Sequence, residues 1–255
     1  MLPHDEAGQG PALVLLHAGI CDRTMWAEHL EPLAMAGHRV VAVDLPGFGE
    51  AEIEQGDEAP WRDVLTAMDE LGIDRAAVVG NSFGGAVALR VAAVAPDRVT
   101  GLALISAPAP GLEPSRQLEA AWEAEEDALK RRGVDAAVEA VVNSWTLPDA
   151  PTELRERVAA MQRRTLAVQP KAAEVSEAPD PVEEDPDVLA GLEMPTLVIV
   201  GDRDMPDFRQ GAETLADALP NSRLEVIEGA GHLAPLETPD RFRDLLLAFL
   251  ETGQS

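Results

Sequence analysis

Residues 80–85 read Gly-Asn-Ser-Phe-Gly-Gly and match the pattern G-x-S-x-G. The apolar run Arg75–Val79 precedes them and a helical pattern over 86–95 follows, which predicts a sharp strand-to-helix turn with Ser82 at its tip. Bulky side chains two positions before or after the serine would clash in such a turn, and both positions are glycine. The turn directs the Ser82 hydroxyl away from the sheet and towards a helix N-terminus, where developing negative charge is favoured.

Short apolar runs alternate with helical patterns on both sides of this turn. Strands are predicted at 12–16, 39–43, 75–79, 99–106, 196–200 and 223–227. Helices are predicted at 24–36, 60–71, 86–95, 210–219 and 238–251. Strands that are apolar on both faces and alternate with helices are typical of parallel strands joined by helical crossovers. The sequence therefore predicts an α/β fold with a doubly wound, mostly parallel sheet.

The alternation stops between residues 111 and 190. This region shows no convincing strand pattern; helical patterns cover 114–132, 134–146 and 151–168, and the Pro- and acid-rich stretch 178–186 is predicted to be a loop. We therefore expect one α/β core, formed by residues 1–110 and 191–255, with a helical insertion at 111–190.

A serine hydroxyl is a weak nucleophile at neutral pH and needs a general base and an acid that orients the base. Among the five histidines, His232 is the best candidate for the base, because it lies in a glycine-rich loop between the last predicted strand and the last predicted helix. The acid is expected after the preceding strand, where Asp202, Asp204 and Asp207 lie. We favour Asp204, with Asp202 as the main alternative. An acid in this segment gives the chain order nucleophile, acid, base that this architecture has.

Together these motifs resemble those of the α/β-hydrolase-fold serine hydrolases. The matching segments span nearly the whole chain in the family's order: His17–Gly19, Asp44–Gly49, Gly80–Gly85, Gly201–Asp204 and Gly229–His232. The resemblance implies that Asp204 is the acid and that residues 111–190 form a helical cap over the active site. It also implies that Asp44 holds backbone amides in a structural turn.

An oxyanion formed at Ser82 needs two N–H donors. The amide of Phe83, the residue after the nucleophile, is one, and the resemblance implies Gly19 as the other. The family usually has His-Gly where this chain has His17 followed by alanine, so Ile20 is an alternative to Gly19. His17 itself is expected to orient this loop rather than to act as a second base.

The N-terminus also departs from the family's pattern. Relatives open with an antiparallel hairpin, whereas residues 1–9 leave room for one strand at most before the strand at 12–16. We therefore expect the first strand of the family to be missing and catalysis to survive, because the candidate site lies at the other ends of the strands.

Composition excludes several classes of function. The 255 residues carry 46 acidic and 20 basic side chains, a formal net charge of −26, which argues against nucleic acid and anionic membranes as partners. The single cysteine, Cys21, excludes a disulfide framework. No targeting signal or membrane-spanning run is recognisable, so we expect a cytoplasmic protein. No cofactor fingerprint or metal cluster is present; we expect a small-molecule substrate and no cofactor, and the sequence does not predict an oligomeric state.

These features predict a serine hydrolase that cleaves a small, neutral carboxylic ester or lactone through an acyl-enzyme intermediate. The main alternative is a C–C bond hydrolase of the meta-cleavage-product type, whose nucleophile motif closely resembles residues 80–85. Those enzymes typically carry an aromatic residue where this chain has Leu233, and they bind an anionic dienoate that a strongly acidic protein attracts poorly. A non-enzymatic ligand-binding protein of the same fold is a further alternative.

The substrate pocket is expected to be lined by large apolar side chains of the insertion and of the core loops. The candidates are Ile20, Trp26, Trp122, Trp145, Met161, Met205 and Leu233.

Overall fold

The computed structural model describes residues 1–53, 57–168 and 176–252, and its centre is a seven-stranded sheet. In chain order the strands are β1 (His4–Ala7), β2 (Ala12–Leu16), β3 (Arg39–Val43), β5 (Ala76–Asn81), β6 (Val99–Ile105), β8 (Thr196–Gly201) and β9 (Ser222–Ile227). Their spatial order is β1-β3-β2-β5-β6-β8-β9. All neighbouring pairs are parallel except β1 with β3. The predicted α/β fold with a mostly parallel sheet is therefore confirmed.

The N-terminal residues form the antiparallel edge of this sheet. His4 pairs with Val43 and Ala7 with Val40, so β1 lies along the outer side of β3. One strand precedes β2, in agreement with the expectation that residues 1–9 can supply one strand at most.

Helices connect the strands and cover the sheet. They are α1 (Ala27–Met35), α2 (Pro60–Glu70), α3 (Phe83–Val94), α8 (Pro206–Ala218), α9 (Ala234–Glu237) and α10 (Pro239–Thr252). Helix α3 packs against β2, β5 and β6, whereas α1 packs against β3 and α10. Every residue of β5 and β8 is buried, as expected for central strands covered on both faces. This arrangement places the carboxyl ends of β5 and β8 on the same edge of the sheet, separated by β6, and the candidate site forms there.

Between β6 and β8 the chain forms the helical region predicted for the insertion. Helices α4 (Arg116–Arg132), α5 (Val134–Trp145) and α6 (Thr152–Val168) follow one another, with α5 packed against both neighbours. Ser115 caps α4 by accepting a hydrogen bond from the Leu118 amide at 3.3 Å. Among the described helices, none is both long and apolar enough to cross a membrane.

Two predictions for the insertion are wrong in detail. A pair of two-residue strands, β4 (Asp57–Glu58) and β7 (Ser176–Glu177), forms a small parallel sheet where no strand was expected. The stretch 178–186 is not all loop, because it contains the short helix α7 (Pro181–Glu184). Asp180 caps α7 by accepting hydrogen bonds from the amides of Val182 and Glu183. Proline is also favourable in the first turn of a helix, so this acidic, Pro-rich stretch can form a short helix although its composition suggested a loop.

Candidate active site

Ser82 lies at the tip of the turn between β5 and α3, as the motif predicts. Its backbone has φ 53° and ψ −116°, a strained conformation for a residue with a side chain. A Cβ on Gly80 would lie 2.1 Å from the Gly84 carbonyl oxygen, and one on Gly84 would lie 2.4 Å from the Leu16 carbonyl oxygen. The turn therefore requires both glycines. The Ser82 amide donates to the Ile105 carbonyl at 2.7 Å, which ties the turn to β6.

His232 lies in contact with Asp204. Its Nδ1 atom is 3.2 Å from Asp204 Oδ1 and 3.3 Å from Oδ2, and the Asp204 side chain is fully buried. Asp204 Oδ1 also accepts a hydrogen bond from the Met205 amide at 2.8 Å, which fixes the carboxylate. Asp202, the alternative acid, is exposed and accepts from the Gly229 amide at 2.7 Å. The structure thus brings Asp204, not Asp202, to the imidazole.

Two aromatic rings enclose the His232 imidazole. The ring centroid of Phe208 is 4.2 Å away and that of Trp145 is 4.7 Å away. Trp145 ends α5 and Phe208 lies in the first turn of α8, so the insertion and the core both restrict the ring. Sequence reasoning missed Phe208. Its position four residues after Asp204 was the available signal.

Asn81 and Glu237 also hold the histidine loop, and sequence reasoning missed both. The buried Asn81 side chain donates to the carbonyls of Ile105 and His232, each at 3.2 Å, so it links the end of β5 to the His232 loop. Glu237 Oε2 accepts a hydrogen bond from the Gly231 amide at 2.7 Å. Burial raises the pKa of the Glu237 carboxyl, although this hydrogen bond and the nearby His232 act in the opposite direction.

The proposed oxyanion donors lie beside each other. A Cβ on Gly19 would be 3.3 Å from the Phe83 Cβ, and both residues line the same cavity as Ser82. Within the described residues, neither Gly19 nor Ile20 uses its amide in a hydrogen bond, whereas the next amide, that of Cys21, donates to Ala18. Both amides of this loop are thus available to a ligand.

The residues around this loop have the structural roles expected of them. The buried His17 Nδ1 contacts the Ala18 carbonyl at 2.9 Å, and its Nε2 accepts from the Leu45 amide at 3.0 Å. Burial lowers the pKa of His17, so the imidazole is held neutral. Asp44 accepts from the amides of Arg23 and Glu50 at 2.8 and 2.9 Å. Burial raises the pKa of the Cys21 thiol, which leaves it a protonated core residue.

A cavity of about 460 Å³ opens next to Ser82 and His232. Three of the predicted pocket residues line it, namely Ile20, Trp122 and Trp145. Met205 instead lines a smaller neighbouring pocket of about 200 Å³, beside Asp204.

The other three pocket predictions are wrong. Trp26, Met161 and Leu233 are fully buried in the hydrophobic core and do not line the cavity. Trp26 packs against Phe242 and His29, so core packing accounts for it.

The cavity wall is apolar with acidic groups. Glu113, Glu125 and Asp207 line it, and the described lining residues include no arginine or lysine. Asp207 is engaged by the amide and hydroxyl of Ser115, at 2.6 and 2.7 Å. Over residues 1–53, 57–168 and 176–252 there is no group of three His, Cys, Asp or Glu residues that could hold a metal ion.

A mostly parallel sheet, a serine at a strained strand-to-helix turn and a histidine against a buried aspartate are the features of α/β-hydrolase-fold enzymes. The alpha/beta hydrolase fold family matches residues 11–239 of the chain. The chain is 30% identical to a 2-hydroxy-6-oxo-6-phenylhexa-2,4-dienoate hydrolase of Burkholderia cepacia, over 98% of this chain and 91% of the relative.

Solved structures agree. A thermophilic esterase from Thermogutta terrifontis is 29% identical with a TM-score of 0.83, covering 100% of this chain and 94% of its own. The enol-lactonase from Burkholderia xenovorans LB400 is 26% identical with a TM-score of 0.77, covering 98% and 96%. The chain therefore belongs to the alpha/beta hydrolase fold family and is a hydrolase.

Proposed function

We propose that this chain is a serine hydrolase that cleaves small carboxylic esters or lactones without a negative charge. The observation that carries the proposal is the serine at the strained turn, in the wall of a cavity that also exposes His232 held by Asp204. A serine, a histidine and a buried aspartate in this relation are suited to acyl transfer.

The mechanism follows from these groups. Ser82 Oγ attacks the ester carbonyl carbon while His232 Nε2 accepts its proton, and Asp204 holds the opposite nitrogen, Nδ1. The Phe83 amide and an amide of the Gly19–Ile20 loop donate to the oxyanion. His232 then protonates the departing alkoxide, which leaves an ester of Ser82. A water molecule, deprotonated by His232, hydrolyses this ester and restores the free hydroxyl.

The cavity wall supports this function over C–C bond hydrolysis. The relatives at 30% identity are named for dienoates, which carry a carboxylate, and this likeness favours C–C hydrolysis as the second candidate. A carboxylate substrate would meet the side chains of Glu113, Glu125 and Asp207, with no arginine or lysine among the described lining residues. Like charges in a cavity of low polarity repel strongly, so this wall disfavours a dienoate.

A substrate panel tests the proposal. We expect turnover of p-nitrophenyl butyrate or of an uncharged γ-lactone, and little turnover of a 2-hydroxy-6-oxo-dienoate. Ser82→Ala should lower kcat by about 10⁶-fold while the circular dichroism spectrum is unchanged. A fluorophosphonate probe should label the wild-type protein at Ser82 with loss of fluoride. A higher kcat/KM for the dienoate would establish the second candidate, and an unlabelled, inactive protein would indicate a ligand-binding role.

A further inference from the structure

Glu125 is a cavity-lining carboxylate without a counter-charge. It lies on α4, is partly buried and accepts a hydrogen bond from the Gln162 side-chain amide at 3.1 Å. Within the described residues it has no ion pair, and burial alone raises the pKa of its carboxyl. Partial burial of a carboxylate costs free energy unless a hydrogen bond or a positive charge compensates, and one neutral amide compensates in part.

The arginines of the neighbouring helix α6 are engaged elsewhere. Arg157 pairs with Glu28 and Arg164 with Asp22, both on the core side, while Arg163 pairs with Asp135 of α5. Arg155 donates to Asn143 and Thr146. Within the described residues, α6 therefore offers Glu125 the Gln162 amide and no ion pair.

Trp122 lies one turn before Glu125 on the same helix. Its side chain lines the same cavity and is 50% exposed, which is unusual for an indole on the described surface. Residues three apart on a helix are neighbours on one face, so the indole and the carboxylate border the same part of the cavity. An aromatic face attracts a cation through its quadrupole, and an adjacent carboxylate adds a Coulombic attraction.

We propose that Trp122 and Glu125 form a subsite for a positively charged ammonium group of the substrate. The inference rests on the proposed function and narrows it, from esters without negative charge to esters that carry an alkylammonium or trimethylammonium group away from the carbonyl. Glu113 and Asp207 add negative potential to the same cavity. The apolar part of the wall accommodates the methyl groups of such a cation, which is weakly hydrated.

Matched substrate pairs test this subsite. The butyrate ester of choline and 3,3-dimethylbutyl butyrate differ in one atom of the alcohol, which is a charged nitrogen in the first and a neutral carbon in the second. The p-nitrophenyl esters of 4-(trimethylammonio)butyrate and 5,5-dimethylhexanoate make the same comparison on the acyl side. We expect the wild-type kcat/KM to favour the charged member of at least one pair by about tenfold, the size of a partly desolvated cation contact.

The matched variants are Glu125→Gln and Glu123→Gln. Glu123 is exposed on the same helix, so both variants change the net charge equally. Glu125→Gln should abolish the preference, measured as the ratio of kcat/KM for the charged member of a pair to that for its neutral partner, whereas Glu123→Gln should keep this ratio. Trp122→Leu should weaken it. Equal discrimination in wild type and Glu125→Gln, or equal loss in both glutamine variants, would overturn the subsite.

A binding measurement separates this inference from the proposed function. Calorimetric titration with hexyltrimethylammonium needs no turnover. Saturable binding to the wild-type protein and to Glu123→Gln, but not to Glu125→Gln, supports the subsite, and absence of saturable binding to the wild type contradicts it. A failure of the proposed function is recognised separately, because neutral esters would then not be hydrolysed at all.

Discussion

His232 is restrained on several sides. Asp204 contacts its Nδ1, Phe208 and Trp145 enclose its ring, and the Asn81 side chain donates to its carbonyl. A general base must present one tautomer in one orientation, and a buried carboxylate at Nδ1 selects the tautomer whose Nε2 can accept a proton. The consequences of this geometry are testable one residue at a time.

Asp204→Asn and Asp202→Asn separate the two candidate acids. Asparagine at 204 keeps the shape but removes the charge that stabilises the imidazolium, so we expect kcat for a neutral ester to fall by about 10⁴-fold. Asparagine at 202 retains an oxygen that can accept from the Gly229 amide, and we expect less than about a threefold change. Steady-state kinetics of the two purified variants measures the difference. Equal losses would contradict the assignment of Asp204.

Glu237→Gln should change how the free energy of unfolding depends on pH. Glutamine can still accept from the Gly231 amide, so the loop is retained. Burial, the largest influence on Glu237, raises the pKa of its carboxyl. Asp204 and Arg203 are other charged groups near it.

A carboxyl whose pKa is raised on folding lowers stability as pH rises above its unfolded value of 4.5, and glutamine removes this effect. The variant should therefore gain stability relative to the wild type as pH rises. Urea unfolding between pH 4 and 7 at constant ionic strength measures the difference. Glu228→Gln, an exposed residue of the same region, is the control and should show no such gain. A stability difference between Glu237→Gln and the wild type that does not change with pH would contradict the raised pKa of Glu237.

Residue chemistry explains which parts of the candidate site could be predicted. Ser82 and His232 lie in glycine-rich motifs whose spacing reflects backbone geometry, and that spacing is visible in the sequence. Trp26 and Leu233 were misplaced because an apolar side chain near the site can face the core or the cavity, and only tertiary packing decides. Phe208 escaped notice for the same reason.

At the scale of elements, helix α6 is held to the core next to the loop of Gly19 and Ile20, which we propose as an oxyanion donor. Arg164 Nε lies 2.6 Å from Asp22 Oδ2, and Arg157 donates to the carbonyls of Thr24 and Met25. Burial opposes ionisation of Asp22, but the hydrogen bonds from Arg164 and Thr24 outweigh it, so the pKa of Asp22 is lowered. The insertion and the loop that carries the Gly19 amide are therefore connected through a buried charge.

Arg164→Met should destabilise the fold more than Arg163→Met. The first leaves the Asp22 carboxylate, 1% exposed, without its cation, whereas the second removes an exposed pair with Asp135. Because Arg164 is itself 44% exposed, we expect a modest difference of about 1–2 kcal/mol in the free energy of unfolding at pH 7.

The contribution of the Asp22–Arg164 ion pair to the free energy of unfolding depends on pH in a defined direction. A lowered carboxyl pKa contributes stability above its unfolded value of 3.8, and this is lost as pH falls through the folded pKa. The difference between the two variants should therefore shrink below about pH 3.8. Urea unfolding at pH 7 and in this acidic range measures it. A difference that is independent of pH would show that packing, not the ion pair, is responsible.

The ends of helices were predicted well where an amphipathic repeat extends over many residues. Helices α4, α5 and α6 lie within one or two residues of their predicted ends, because amphipathic repeats extend over several turns. Strands β4 and β7 have two residues each, too few to show any repeat. Helix α8 begins at Pro206, four residues before the prediction, since proline in the first turn was not used as a start signal.

At the scale of the whole molecule, three buried histidines make stability depend on pH. Burial lowers the pKa of His17, His29 and His38 below 6.5. The unfolded chain then binds protons below pH 6.5 that the folded chain does not, so stability falls as pH decreases. We expect the free energy of unfolding to drop from pH 7.5 to pH 5.5. Urea titrations in 0.5 M NaCl measure the slope, and a flat profile would contradict burial of neutral imidazoles.

These urea titrations need salt because the acidic side chains of the folded molecule repel one another. Twenty basic side chains can pair with at most 20 of the 46 acidic ones, which leaves a net charge of −26 on one compact fold. Exposed ion pairs contribute about 0.2–1 kcal/mol each and are weakened by salt, but the unpaired acids repel one another over the whole surface. Repulsion should outweigh the lost pairs.

At pH 7.5 we therefore expect Tm to rise by at least about 3 °C between 0.02 and 0.5 M NaCl, as the screening length falls below the spacing of surface charges. Differential scanning calorimetry measures the shift. Sucrose of equal osmolality is the control, because it strengthens burial without screening charge. If NaCl lowers Tm, the ion pairs dominate and the acidity adds no net repulsion in the folded state.

Salt should also reduce any preference for charged substrates that arises from the net charge of the whole molecule. The preference for a cation that binds between Trp122 and Glu125 should fall less, because this cation is partly withdrawn from solvent.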